Sequence, residues 1–112
     1  MTNGLVAGVP GSRMGKRLSY SLRAVADLDE IWDYTEQYWG REQAFDYTSE
    51  MHRLCQAMAE GTALFQTVTI GDIAFWRGAC GRHRIFAVDG GESLLVVRIL
   101  HVSQDVERRL GD

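Results

Sequence analysis

Two imidazoles, His83 and His101, and four guanidiniums, Arg77, Arg82, Arg84 and Arg98, are the side chains of this sequence whose types suit work on phosphate. An imidazole passes a proton near neutral pH, and a guanidinium holds an anion through paired N–H donors. Assembled together, His101 with Arg98 or Arg84 would make a nuclease site, with a base or acid beside cations for the transferring phosphate. The same residues have plainer readings. His101 ends a strand pattern, where a histidine often serves as a hydrogen-bonded structural group. Arg82, His83 and Arg84 alternate, so on a strand the two arginines share one face and His83 takes the other. Exposed with Arg98, those arginines form a patch for an acidic protein or a phosphate; left in solvent, they are only a polar surface. His52 and Cys55 stand three apart, as do Cys80 and His83, a spacing that mimics a metal pair. Cys55 falls on an apolar stripe and a complete ligand set is missing, so no metal and no cofactor is expected. The sequence contains no glycine-rich phosphate loop and no Ser/His/Asp arrangement.

The chain that must position these groups has 112 residues, 46% hydrophobic and 24% charged, with one proline. That size suits one domain with one core, and the composition is that of a globular protein without repeats. No apolar run approaches the roughly 20 residues that span a bilayer, so no membrane partner is expected. Residues 1–13, MTNGLVAGVPGSR, lack the basic start and apolar stretch of a secretory signal. They are expected to be an expression scar or upstream extension, disordered, with Met14 the natural start of the domain at 14–112. Cys55 and Cys80 do not make a disulfide framework, which places the chain in the cytoplasm with free thiols. The net charge of -3 conceals an asymmetry. From Ser21 to Glu50 acids dominate and predict an acidic surface. From Ile73 onward the charge is basic, almost entirely by arginine.

Arg17 to Tyr20 alternates as a first strand, and Ser21 offers a helix N-cap. Leu28, Ile31, Trp32, Thr35, Tyr38 and Trp39 then recur at helical spacing, and Gly40 ends that helix. A second helix follows from Arg41 to Gly61, with Ala44, Phe45, Thr48, Met51, Leu54, Cys55 and Met58 on one stripe. So short a connection makes the two an antiparallel hairpin. Most of the aromatic residues Trp32, Tyr34, Tyr38 and Trp39 are expected in its core. Thr62 to Asp72 reads as irregular. Short β-rich runs follow, Ile73 to Trp76, Arg82 to Val88 and Ser93 to Leu100, with Asp89, Gly90 and Gly91 a tight turn between the last two. The final run is apolar on both faces and predicts a central strand. Asp105 to Leu110 closes as a helix or turn. The class is α+β: an N-terminal strand, an antiparallel helical hairpin, then an antiparallel sheet that the hairpin covers.

Three stretches, LSYSLRAVADLDEIWDYTEQYWGREQAFDY, GRHRIFAVDG and LLVVRILHVSQDVERRL, in that order resemble the ParE toxins of the RelE/ParE superfamily. The Ile-Trp-Asp-Tyr run, the Gly-x-x-x-Ala helix start, the Gly-Arg-His-x-Ile-Phe strand and the Ile-Leu-His segment before Asp-Val carry the likeness. The stretch TALFQTVTIGDIAFWRGACGRHR departs from it, lacking the customary proline and arginine pair, and Ala87 stands where many relatives have tyrosine. The resemblance implies a toxin of a type II toxin–antitoxin system that is not an enzyme and that traps DNA gyrase on cleaved DNA. It implies a ParD-like antitoxin with a disordered tail, a toxin–antitoxin hetero-oligomer, and no sequence-specific contact with nucleic acid. Target-binding candidates are then Arg77, Arg82, Arg84, Arg98 and His101; antitoxin-binding candidates are Trp32, Tyr38, Trp39 and Trp76. The alternatives are a RelE-like ribosome-dependent ribonuclease using His101, Arg98 and Arg84, and a non-toxic remnant that still binds antitoxin.

Overall fold

The structure, a computed structural model, describes residues 15–111; the expected leader at 1–13 lies outside the described residues. β1 (Arg17–Tyr20) leads into α1 (Leu22–Trp39) and α2 (Arg41–Glu60). Four strands follow, β2 (Gln66–Ile70), β3 (Ile73–Cys80), β4 (His83–Asp89) and β5 (Ser93–His101), and then α3 (Val106–Leu110).

Ser21 begins α1 as its spacing predicts. Its hydroxyl oxygen accepts from the Ala24 amide at 3.1 Å, and the hydroxyl itself donates to the Val97 carbonyl at 2.9 Å, so the cap also ties α1 to β5. Gly40, at φ 93° and ψ 167°, lies in a region that side chains disfavour and is the single residue between the end of α1 and the start of α2. The helices form the expected hairpin on one face of a five-stranded sheet of order β1-β5-β4-β3-β2. β1 runs parallel to β5 and every other pairing is antiparallel.

The stretch expected to be irregular contains β2, which pairs with β3 from Gln66 opposite Arg77 to Ile70 opposite Ile73. This is an edge strand of five residues with only Val68 and Ile70 partly covered, so its two-residue alternation is brief and mostly polar. β5 is interior, between β1 and β4, while β4 holds the middle of the sheet. A bulge explains the burial of β5 on both faces: Phe86 faces Arg98 but Ala87 faces Val96, which leaves Val97 unpaired. Leu94, Val96 and Ile99 therefore join Ile85 and Ala87 under the helices, against Ala24, Ile31, Met51, Cys55 and Met58. On the other face Leu100 packs with Phe75 and Phe86, flanked by Val106 and Leu110 of α3.

Helical spacing placed Tyr38, Trp39 and Phe45 on apolar stripes, yet they are 61%, 66% and 60% exposed. Burial on α1 stops at Thr35, because the tip of the hairpin has no sheet beneath it to cover; periodicity reports which side a residue is on and not where that cover ends. Among the described residues no helix is long and apolar enough to cross a membrane.

Candidate functional site

A groove of about 850 Å³ opens between the tip of the hairpin and the ends of β4 and β5. Tyr34 and Trp39 of α1 and Gln43 and Tyr47 of α2 line one wall; Arg82, His83, His101 and Gln104 line the other. The antiparallel register sets His83 opposite His101, and their rings meet edge to face with centroids 5.3 Å apart. The Tyr47 hydroxyl donates to the Cys80 carbonyl at 3.1 Å. With its proton there, the 2.8 Å contact with His83 is Nδ1–H donating to the phenol oxygen, which leaves His83 Nε2 with a free lone pair. Burial pushes the His83 pKa down to about 4, helped by the neighbouring His101 and Arg84 and opposed by Asp27. Burial likewise raises the Tyr47 pKa, so this pair is uncharged at neutral pH.

The His101 ring is oriented from the loop that follows it. Ser103 N–H donates to His101 Nδ1 at 3.0 Å, which puts the ring proton on Nε2 in the neutral form, and the His101 amide donates to Gln104 Oε1 at 2.7 Å. Arg82 sits in the exposed turn between β3 and β4, its carbonyl accepting from the Val102 amide at 2.9 Å. Its guanidinium makes no hydrogen bond or ion pair with any described residue. The groove thus offers a bare imidazole nitrogen, an imidazole N–H and an unpaired cation, opposite two exposed aromatic rings. That set can hold an anion or move a proton.

Arg98 does not belong to this surface, contrary to the expectation of an exposed patch. It is buried against Asp27, with Nε to Oδ2 at 2.9 Å and Nη2 to Oδ1 at 3.1 Å, and its Nη1 donates to the Arg109 carbonyl at 3.4 Å. Asp27 is likewise no part of an acidic surface. β1 ends at Tyr20 opposite Val96, so β5 has no strand farther on along that edge, and Asp27 Oδ2 accepts from the Ile99 amide at 2.8 Å in place of a strand carbonyl. The helical phase of Asp27, four residues before Ile31, was the signal that could have found it; its partner 71 residues away was not readable.

Arg82 and Arg84 do not share a face, because β4 starts at His83 and Arg82 belongs to the turn. Arg84 lies opposite Leu100 on the face away from the hairpin, donating to the Gly81 and His83 carbonyls at 3.1 and 3.0 Å. Arg77 bonds Gln66 across the strands. Of the basic candidates only Arg82 and His101 line the groove together, and the trio His101, Arg98 and Arg84 is not assembled. Among the aromatic candidates Tyr38 and Trp39 stand exposed, joined by Tyr34, with centroids 4.7 to 6.2 Å apart. Trp32 is half-buried, bonded to Glu36 at 3.2 Å, and Trp76 stacks on Phe65 at 3.9 Å against the main core. His52 is bonded to the Tyr20 hydroxyl at 2.7 Å, while Cys55 is buried and its thiol pKa pushed up to about 11 by that burial.

A family profile described as the ParE toxin of the type II toxin–antitoxin system parDE matches residues 18–106. Toxin ParE1 of Caulobacter vibrioides is 38% identical over 91 residues, covering 81% of this chain and 94% of that protein. Toxin ParE1 of Mycobacterium tuberculosis is 33% identical over 98 residues, covering 87% of this chain and 100% of that protein. A solved structure described as the chromosomal ParDE TA system from P. aeruginosa shares the fold at a TM-score of 0.58 and 18% identity, covering 80% of this chain and 98% of that one.

Proposed function

Because the chain belongs to the ParE toxin family of type II toxin–antitoxin systems, we propose that it poisons DNA gyrase and is neutralised by a cognate ParD-like antitoxin. It acts by binding, stabilising the cleaved gyrase–DNA complex without catalysis of its own. The single observation that carries the antitoxin half is the aromatic cluster of Tyr34, Tyr38 and Trp39, left exposed at the tip of the hairpin. Neighbouring aromatics in solvent are the kind of patch that an amphipathic helix covers, and an antitoxin tail that folds on binding supplies one. The complex is a hetero-oligomer in the cytoplasm, where Cys55 and Cys80 stay reduced. The gyrase half rests on family membership. Incubating the protein with gyrase, supercoiled plasmid and ATP, then adding detergent and protease, should release linear DNA only when gyrase is present. Absence of a linear product overturns this half.

One observation favours a second reading, a RelE-like ribonuclease: His83 and His101 stand together over the groove beside Arg82. That reading requires cleavage of ribosome-bound messenger RNA that His101→Ala abolishes. Without cleavage of either nucleic acid and without a growth defect on expression, the chain is a non-toxic antitoxin-binding remnant.

A further inference from the structure

We propose that the groove binds an unstacked nucleotide, its phosphate on Arg82 and His101 and its base against Tyr34 and Trp39. Four features of the groove converge on that ligand. Arg82 is an exposed guanidinium with no partner among the described residues, at the mouth of a concave site, and guanidinium is the side chain best matched to phosphate oxygens. His101 has its Nδ1 occupied by the Ser103 amide and so directs an N–H donor outward. Tyr34 and Trp39 are exposed aromatic side chains on the opposite wall, and every base has a π face to stack on such a ring. Gln43 and Gln104 bring side-chain amides able to meet base edges. The volume, about 850 Å³, lies within the range of ~300–1,000 Å³ usual for small-ligand clefts.

The charges around the groove limit the ligand to something short. Asp27 is paired with Arg98, which offsets its charge, whereas Glu30 on the rim and Asp29 and Asp33 beyond it on α1 are exposed carboxylates. A duplex would lay several phosphates along those acids. A single nucleotide puts its phosphate on the arginine side and leaves Glu30 to accept from a base amino or sugar hydroxyl group. His83, held neutral, adds a lone pair and no charge. The inference concerns the groove alone and holds whether or not gyrase is the target.

The test is fluorescence anisotropy of a labelled five-nucleotide single strand, in DNA and RNA forms, titrated with the full chain and with the variants Arg82→Gln and Trp39→Ala. Both replaced side chains are exposed, so unchanged urea midpoints confirm that the variants fold. Saturable binding is expected, competed by a deoxynucleoside 5′-monophosphate and more weakly by inorganic phosphate. Each variant should weaken it about tenfold or more, Trp39→Ala by a lost stacking contact and Arg82→Gln by a lost charge-assisted contact with phosphate. The log–log salt slope should be about −0.7 per phosphate held, no steeper than two phosphates require. The tighter of the DNA and RNA strands identifies the source of the nucleotide. Absence of saturable binding, binding in both variants as tight as in the parent chain, or a groove that takes an acidic aromatic peptide and no oligonucleotide overturns the proposal.

Discussion

Three donors converge on the carboxylate of Asp27: Arg98 Nε, Arg98 Nη2 and the Ile99 amide. Both side chains are buried, so removing one partner strands the charge of the other in a poor solvent. Asp27→Ala is expected to cost about 3–5 kcal/mol in urea unfolding, and Arg98→Ala a similar amount, while the apolar pair Asp27→Leu with Arg98→Met costs much less than their sum. Additive losses in the double variant would show that the pair is not coupled. His83 makes a second prediction, on pH. Its folded pKa, about 4, lies below the ordinary 6.5, so the unfolded chain binds the extra proton between those values. The contribution is fully present above pH 6.5 and is lost as pH falls toward 4. Unfolding free energy should therefore fall more steeply from pH 7 to pH 5 in the parent chain than in His83→Gln; equal slopes would refute the buried neutral ring. The sequence listed His83 among the groups able to do chemistry but gave no hint of Tyr47, because a contact 36 residues apart exists only after the hairpin has docked.

The elements were legible where a pattern ran long enough. Both helices carry three or more turns of apolar spacing with glycines at their ends, and β4 and β5 are joined by an unmistakable Asp-Gly-Gly turn. β2 was hidden because an edge strand with one polar side offers only two inward residues, Val68 and Ile70. The bulge at Val97 was hidden too, since unbroken hydrophobicity on both faces erases the alternation that would mark a change of phase. The connection from β3 to β4 links these elements to the groove. Cys80 pairs with His83 across a two-residue loop, and Gly81 holds its first position at φ 57°, as primed hairpin turns require. A Cβ there would lie 2.7 Å from the Tyr47 hydroxyl, the group that holds the His83 ring. Gly81→Ala thus combines backbone strain with displacement of Tyr47. We expect a loss of about 1–3 kcal/mol in urea unfolding together with a shift of the His83 ring resonances. An unchanged imidazole spectrum would show that Tyr47 does not position the ring.

For the molecule as a whole, the asymmetry of charge along the sequence acquires a geometry. Glu30 of the acid-rich hairpin and Arg82 of the turn before β4 stand on opposite walls of one groove, with Tyr34 and Trp39 on the hairpin side and Tyr38 packed beside them. Sequence patterning assigned those rings mainly to the core, since it cannot tell a covered stripe from one that overhangs the sheet. Their exposure has an energetic meaning: rings that bury little in the free chain have most of their surface left to bury against a partner. Replacing one should then spare the fold and weaken the complex. For Trp39→Ala we expect the urea midpoint to move little and affinity for the cognate antitoxin to fall by about 2 kcal/mol or more, the size of an aromatic hot spot, read by calorimetry. Met51→Ala is the opposite control, because Met51 is fully buried and its loss should lower stability by about 2–5 kcal/mol. If Trp39→Ala binds antitoxin as tightly as the parent chain, the tip of the hairpin is not the docking surface. If it binds more weakly, antitoxin should also displace an oligonucleotide from the groove, because Trp39 belongs to both surfaces and only one ligand can cover it.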